Sequence, residues 1–515
     1  MTIRVSEAVV KVLEDLNVET VFGIPGRWVN PLYIALSESK IKHVLMRHEQ
    51  AAAHAADGYA RVSGKVGVCL ATAGPGALGL VLGIATAYKD HVPLLAITGQ
   101  VPLKLKGKRV TEELNLVNIF KHITKMSLEI TNPSKAYEQI FLAAIEAQSE
   151  CPAPVHVSIP EDVQRSKTSI RKQHYFKKHR TTPRKEDVDI VSEMLNKAEK
   201  PLILAGQGVL LSNAEHELWK LVKKTSIPII TTLMARGIIP EDNPLNLGFA
   251  GYYGSIEANR AFAESDLVLA LGCSLSYNTM FHIKPKEKTI VQVDVSEHNF
   301  NKEYATLTIK SDVETFIAKL LGKVKPRSRV WIKGGKQQYR LKNGKGLSIA
   351  KILSKELNRK TVFVLDIGEH TLWSISSIKA YMPRTIILPG NLATVGYSLP
   401  AAIGAKLAKP KMNTVAVMGD GGFYASSSEL GIIKQYNIPI MIVVYNNKYY
   451  GLTKKFQEKI YRKSFGVYLG DFSCAKIAEA YGILSYVVSK PEELKEIIPK
   501  NIEEPLLIEI PLGSS

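Results

Sequence analysis

Cysteine is scarce in this chain. There are four in 515 residues (Cys69, Cys151, Cys273 and Cys474), far apart and without a Cys-x-x-Cys pair. That spacing excludes a zinc knuckle and a dithiol redox centre, and it fits a reducing compartment. Cys69 and Cys273 stand in apolar strand-like runs, where cysteine behaves as a small buried hydrophobe. Long apolar runs are missing as well: none reaches the roughly 18 residues of a membrane span. The nearest, Ala77–Tyr88, is interrupted by Gly79 and Gly83. Arg4, Glu7, Lys11, Glu14 and Asp15 are spread among apolar positions, which makes the opening segment an amphipathic helix and not a signal peptide. No low-complexity tract or short-period repeat occurs. A soluble cytoplasmic protein with no membrane partner is the expectation.

Acidic residues are also short, 48 against 67 Lys and Arg, for a net charge of +19. The excess is local. Residues 165–185 hold nine basic residues and no acid, and residues 323–345 hold nine more, again without an acid. Neither stretch has hydrophobic periodicity, and Pro183, Pro326, Gly334, Gly335 and Gly344 punctuate them. They read as two solvated linkers, which leaves three nearly neutral bodies and removes the main argument for nucleic-acid binding. A rival RNA-associated role through these runs would show binding that falls steeply with salt.

The expected domains are 1–164, 186–322 and 346–515, with linkers 165–185 and 323–345. Apolar residues make up 45% and charged ones 22%, as in ordinary globular chains. In the first body, helices near residues 6–16, 31–37 and 50–60 alternate with strands at 20–22, 67–71, 94–97 and 155–159. Strands at 201–205, 227–231, 267–271 and 290–293 follow in the second body. The third has strands at 361–365, 414–418, 440–444 and 506–510. Alternation of this kind predicts an α/β protein of three doubly wound parallel-sheet domains.

The sharpest motif is Gly419-Asp420-Gly421-Gly422, followed one βαβ length later by Asn446-Asn447. A strand runs into each half, with a crossover helix predicted over 426–436 between them. Asp420 and Asn447 are therefore expected at the C-terminal ends of two parallel strands, where open α/β sheets bind ligands. Both offer hard oxygens, which suits Mg²⁺ with a nearby backbone carbonyl and diphosphate oxygens completing the shell. The amides of Gly421 and Gly422 favour the same anion. Gly-Asp-Gly alone would read as a turn; the pair at this spacing is far more specific.

Gly-Asp-Gly with a distal Asn-Asn resembles the thiamin diphosphate signature, and the chain is similar to the acetolactate synthase, benzoylformate decarboxylase and pyruvate oxidase family. Collinear motifs carry the resemblance: Phe22-Gly-Ile-Pro-Gly26, Arg47-His-Glu-Gln50, Ala56-Asp-Gly-Tyr-Ala-Arg61, Gly74-Pro-Gly76, Thr98-Gly-Gln100, Gly396-Tyr-Ser-Leu-Pro-Ala-Ala-Ile-Gly404 and Asn446-Asn-Lys-Tyr-Tyr-Gly451. It implies pyrimidine-binding, middle and diphosphate-binding domains in that order. It also implies thiamin diphosphate and Mg²⁺ as cofactors, and a 2-oxo acid or acyl-CoA substrate. A homodimer or homotetramer with the site at the subunit interface is expected. Glu49 is implied as the catalytic carboxyl group on the aminopyrimidine N1′. The implied cofactor contacts are Gly368, Glu369, His370, Val395, Gly419, Asp420, Gly421, Gly422, Asn447, Tyr449, Tyr450 and Gly451, with Asp420, Asn447 and Tyr449 on the metal. Val395 takes the place of the side chain that bends the cofactor.

The chain also departs from acetolactate synthase. Thr111-Glu112-Glu113 stands for Phe-Gln-Glu, Asn278 for an arginine that binds the second 2-oxo acid, and Phe456 for a specificity tryptophan. The sequence ends without the C-terminal tail that closes the synthase site. Arg27, Glu112 and Phe456 are the candidate substrate residues, with a plain surface arginine as the other reading of Arg27. Glu369 replaces a glutamine beside the diphosphate and is expected to point away or to be protonated. FAD remains open but weakened: Ala205-Gly-Gln-Gly208 resembles a flavin stretch, whereas Gly272-Cys273-Ser274 replaces Gly-Ala-Arg. The implied activity makes or breaks the C–C bond next to a carbonyl, by decarboxylation followed by carboligation. A non-carboligating decarboxylase or a 2-hydroxyacyl-CoA lyase is the alternative. A catalytically silent binding or regulatory paralogue is the alternative of another class.

Overall fold

A computed structural model describes residues 2–170, 180–281, 283–284, 288–327, 329–334, 339, 341 and 344–513. Its framework is three six-stranded sheets, each parallel throughout and flanked by helices. Apolar runs such as Gly67–Ala71 and Leu267–Leu271 form the central strands and are buried along their full length, as strands covered on both faces must be. Among the described residues no helix is long and apolar enough to cross a membrane.

The first and third sheets share one topology. In the first, the strands lie side by side in the order Lys42–Leu45, Thr20–Gly23, Gly67–Ala71, Leu94–Gln100, Val155–Pro160, Met126–Glu129. In the third, the order is Ile386–Ile387, Val362–Leu365, Thr414–Gly419, Met441–Asn446, Leu506–Pro511, Leu484–Val487. Numbered along the chain, each reads 2-1-3-4-6-5. The switch point therefore falls between the first and third strands of each domain, the crevice where such sheets take ligands. The middle sheet reads 3-2-1-4-5-6, from Asn246–Phe249 at one edge to Leu307–Lys310 at the other.

Two helices join the outer domains. Glu49–Ser63, almost wholly buried and rich in alanine, crosses Ser398–Ala408 at glycines. A Cβ on Gly58 would lie 2.1 Å from the Ala401 carbonyl oxygen, and one on Gly404 would lie 1.8 Å from that of Ala55. Only glycine permits this approach, and one apolar core runs through both domains.

Two expectations change. The basic runs are not simply solvated. Lys167–Ser169 pairs antiparallel with Thr2–Arg4. Lys323 forms an ion pair with Asp189, and the Arg327 guanidinium donates to the carbonyls of Leu195 at 2.9 Å and Ala198 at 2.6 Å, capping helix Lys185–Lys197. The Trp331 indole donates to the Pro201 carbonyl at 2.7 Å. Basic side chains here satisfy backbone carbonyls that composition does not reveal. Residues 171–179, 328, 335–338, 340, 342 and 343 of these runs lie outside the described residues. The helix predicted over 426–436 instead begins at Asp420, runs Asp420–Ser426, tightens to a 3-10 turn at Ser427–Glu429 and resumes as Leu430–Gln435. The Ser426 hydroxyl donates to the Gly422 carbonyl at 2.9 Å, the local competition by which serine breaks a helix.

Candidate functional site

The strand Thr414–Gly419 delivers Asp420 into the protein, 3% exposed. Its Oδ2 accepts the Lys448 N–H at 2.6 Å and its Oδ1 the Gly421 N–H at 3.0 Å. Burial, tempered by these amides, raises its pKa to about 6. The Lys448 ammonium turns instead to Asp471, 2.7 Å away, so the carboxylate faces amides and no cation among the described residues. Asn447 closes a tight turn in which its Oδ1 accepts the Tyr449 N–H at 3.0 Å and Lys448 adopts a left-handed φ of 66°. The Tyr449 phenol ring packs against Tyr468 and Lys454, which leaves its backbone carbonyl as the oxygen a cation would use.

Glycines line the rest of this crevice. A Cβ on Gly421 would sit 2.7 Å from the Tyr450 ring, one on Gly422 would sit 3.0 Å from the Asp366 carboxyl carbon, and one on Gly451 would sit 2.5 Å from both Asn447 Nδ2 and Glu369 Oε2. His370 is buried beside Gly368 and Gly419, stacked on Tyr445, with no partner for Nε2 among the described residues. Burial lowers its pKa to about 3, so the ring is neutral. Glu369 does not point away, since its Oε2 faces Gly451, and it forms an ion pair with Lys455. Val395 protrudes from a neighbouring loop, 37% exposed.

A second cluster lies at the equivalent strand ends of the first domain. Glu49 opens its helix after His48, whose side chain accepts the Gln50 N–H. The Glu49 carboxylate rests against Gly76 and Gly79, whose Cβ positions would lie 3.2 and 2.8 Å from its oxygens. Among the described residues it has no hydrogen-bond or ion-pair partner. The nearby Tyr33 hydroxyl is buried without a partner, and burial with the Glu49 charge raises its pKa. Thr72 touches both Gly26 and Gly76, which brings Arg27 to this cluster, its guanidinium 4.5 Å from the Trp28 ring. Glu112 packs its backbone on Gly74 with φ at 72° and a buried, unpartnered Oε2. Phe456 is 59% exposed on helix Gly451–Tyr461, which begins at the crevice residue Gly451.

Among the described residues, no hydrogen bond or ion pair joins Glu49, Arg27 or Glu112 to Asp420 or Asn447. Among the described residues no group of three His, Cys, Asp or Glu is placed to hold a metal ion. The donor set around Asp420, one carboxylate with amide and carbonyl oxygens, therefore suits a hard cation that takes its remaining ligands from a phosphate.

Sequence reasoning missed four residues. Asp366, pushed up to about 6 by burial, accepts the N–H groups of Ile367, Gly396 and Ser398 at 2.8–3.0 Å and so shapes the loop beneath Val395. Its signal was an acid at a strand end before Ile-Gly-Glu-His. Lys455 stands four residues after Gly451, a helical spacing that could have been read. Glu429 accepts the Arg47 N–H at 3.3 Å, just before Glu49. Glu509 accepts from Asn446 Nδ2 at 2.6 Å and the Ser473 hydroxyl at 2.7 Å, bracing the strand end. Neither glutamate has a local motif.

Three family models match the chain, all described as thiamine pyrophosphate enzyme domains: the N-terminal TPP binding domain over residues 3–119, the central domain over 188–320 and the C-terminal TPP binding domain over 366–510. A probable acetolactate synthase large subunit of Methanocaldococcus jannaschii is 37% identical, covering 98% of this chain and 91% of its own. The acetolactate synthase large subunit of Lactococcus lactis subsp. lactis is 34% identical over 99% and 92%. An acetolactate synthase of Mycobacterium bovis is 33% identical over 96% and 85%.

Proposed function

The chain belongs to the thiamine pyrophosphate enzyme family as an acetolactate synthase-like member, and from that premise we propose that it decarboxylates a 2-oxo acid and ligates the remaining fragment to a second carbonyl. Asp420, Asn447 and the Tyr449 carbonyl would hold Mg²⁺. The Gly368–His370 turn, Gly419–Gly422, Tyr450 and Gly451 would cradle the diphosphate. Thiamin diphosphate, when bound, supplies a carbon nucleophile for the substrate carbonyl and an electron sink for cleavage of the adjacent bond. Glu49 would keep a proton at N1′ of the aminopyrimidine, which makes the ring's own amino nitrogen a base. Val395 would hold the cofactor bent. Arg27 would pair the substrate carboxylate, with Glu112 and Phe456 beside the reacting carbons.

The observation that carries this reading is Asp420, a buried carboxylate that accepts two backbone amides and has no cation beside it among the described residues, at the switch point of a parallel sheet. The family resemblance leads us to place each active site between two chains, in a homodimer or homotetramer, and no hydrogen bond or ion pair among the described residues joins Glu49 to Asp420 within one chain. A second reading, decarboxylation or 2-hydroxyacyl-CoA cleavage without ligation, is favoured by Asn278. This residue lines an interdomain cleft of about 370 Å³ and offers no guanidinium to a second 2-oxo acid. Incubation with thiamin diphosphate, Mg²⁺ and pyruvate separates the two: acetolactate is expected, acetaldehyde favours the second, and no turnover of 2-oxo acids or 2-hydroxyacyl-CoA overturns both.

A further inference from the structure

Residues 389–397 form a partly exposed loop of the C-terminal domain with an unusual hold on its shape. Leu392 and Val395 point outward, 38% and 37% exposed. Ala393 has a φ of 56°, a left-handed conformation that a Cβ disfavours and that persists only where the surroundings impose it.

Those surroundings belong largely to the other end of the chain. Asp90, fully buried, accepts the Gly390 N–H at 3.0 Å on one oxygen, and the Asn391 N–H at 3.0 Å and side-chain amide at 2.7 Å on the other. Arg61 donates to Asp90 at 2.8 Å, to Asp57 at 2.5 and 3.1 Å and to the Leu388 carbonyl at 3.2 Å. The Tyr397 hydroxyl donates to Asp57 at 2.5 Å, and the hydroxyls of Thr86 and Thr394 are 2.7 Å apart. Gly390, Asn391 and Tyr397, near the two ends of the loop, are thus fixed by one buried charged network, an expensive device that is disrupted by loss of any partner, while Thr394 is held by Thr86 and the Gly396 N–H by Asp366 at 3.0 Å. Domain stapling alone needs Leu388 and Tyr397 but not the bonds to the amides of Gly390 and Asn391, which set the loop's internal shape.

We propose that Asp90 is a positioning residue for the cofactor site: with Arg61 and Asp57 it fixes, from the N-terminal domain, the loop that presents Val395. This rests on the functional reading of Val395 given above. Two variants test it in the full-length protein. Asn391→Ala removes an exposed side chain's bonds to Asp90 and the Lys89 carbonyl while leaving the buried charges of Asp90, Arg61 and Asp57 in place; Asp90→Asn keeps an acceptor but loses the charge. Hydrogen exchange of residues 390–396 without cofactor, and calorimetric binding of thiamin diphosphate with Mg²⁺, are measured with and without Val395→Ala.

Faster exchange is expected in both variants. Binding should weaken by about tenfold, the equivalent of one or two lost hydrogen bonds, and by less than about twofold when Val395→Ala is already present, since coupled residues are not additive. Unchanged exchange, or equal weakening in both backgrounds, overturns the proposal, because a purely structural staple gives the latter. No binding by the wild-type protein counts against the functional reading, whereas normal binding with unchanged exchange counts against the clamp alone.

Discussion

At the scale of single residues, the chemistry that narrows residue choice is what made positions legible. A hard cation beside a diphosphate needs oxygen ligands at strand ends, so Gly-Asp-Gly and Asn-Asn stood out from ordinary turns. Asp366 and Lys455 did not, because an acid at a strand end and a lysine on a helix are common and only their partners give them meaning. Asp420→Ala is expected to weaken Mg²⁺ binding by more than the roughly 10–100-fold that losing an outer-shell partner costs, read by calorimetry. Burial raises Asp420 to about 6, so protons compete with the cation. Mg²⁺ affinity should hold above that pH and fall below it. Glu49→Gln should lower kcat by about 10²–10⁴-fold, the range of general acid–base catalysis, while cofactor affinity measured by calorimetry changes little.

Among elements, the central four strands of each sheet were readable and both edges were not. Lys42–Leu45, Met126–Glu129, Leu307–Lys310 and Leu484–Val487 are partly exposed, so their apolar runs are broken. Ile386–Ile387 is too short to show a pattern. Asn246–Phe249 is buried but carries Asn and Gly. The helix crossing was equally invisible, since glycine in a helix carries no mark of what approaches it. Gly404→Ala should destabilise the protein by about 1–3 kcal/mol, read as a lower denaturation midpoint. The turn at Ser427–Glu429 places Glu429 on the Arg47 amide, and burial lifts this carboxyl from 4.5 to about 7. The folded protein then binds more protons than the unfolded between these values. The stability this group contributes is therefore full below about pH 4.5 and lost as pH rises through 7. Glu429→Gln mimics the protonated form: its unfolding free energy, read from denaturant titration, should match the wild type near pH 4 and exceed it at pH 8, by up to about 3 kcal/mol.

Across the whole molecule, strand and helix alternation sufficed for three α/β bodies, but the shared 2-1-3-4-6-5 order of the outer two was not visible. Nor was the docking of the basic runs, because both depend on contacts between distant segments. That shared topology gives each chain two crevices with different equipment: in one, Glu49 against glycines and without a partner among the described residues, and in the other Asp420 with the Asn447 turn. On the proposed reading, one cofactor spans a crevice of each kind contributed by two chains. Glu49→Gln and Asp420→Ala proteins, each inactive alone, should therefore complement each other when co-expressed and assembled at random. Half the dimers would then be mixed, each with one intact site, and activity should recover to about a quarter of the wild-type value. Activity no greater than that of either variant alone would contradict a site shared between chains.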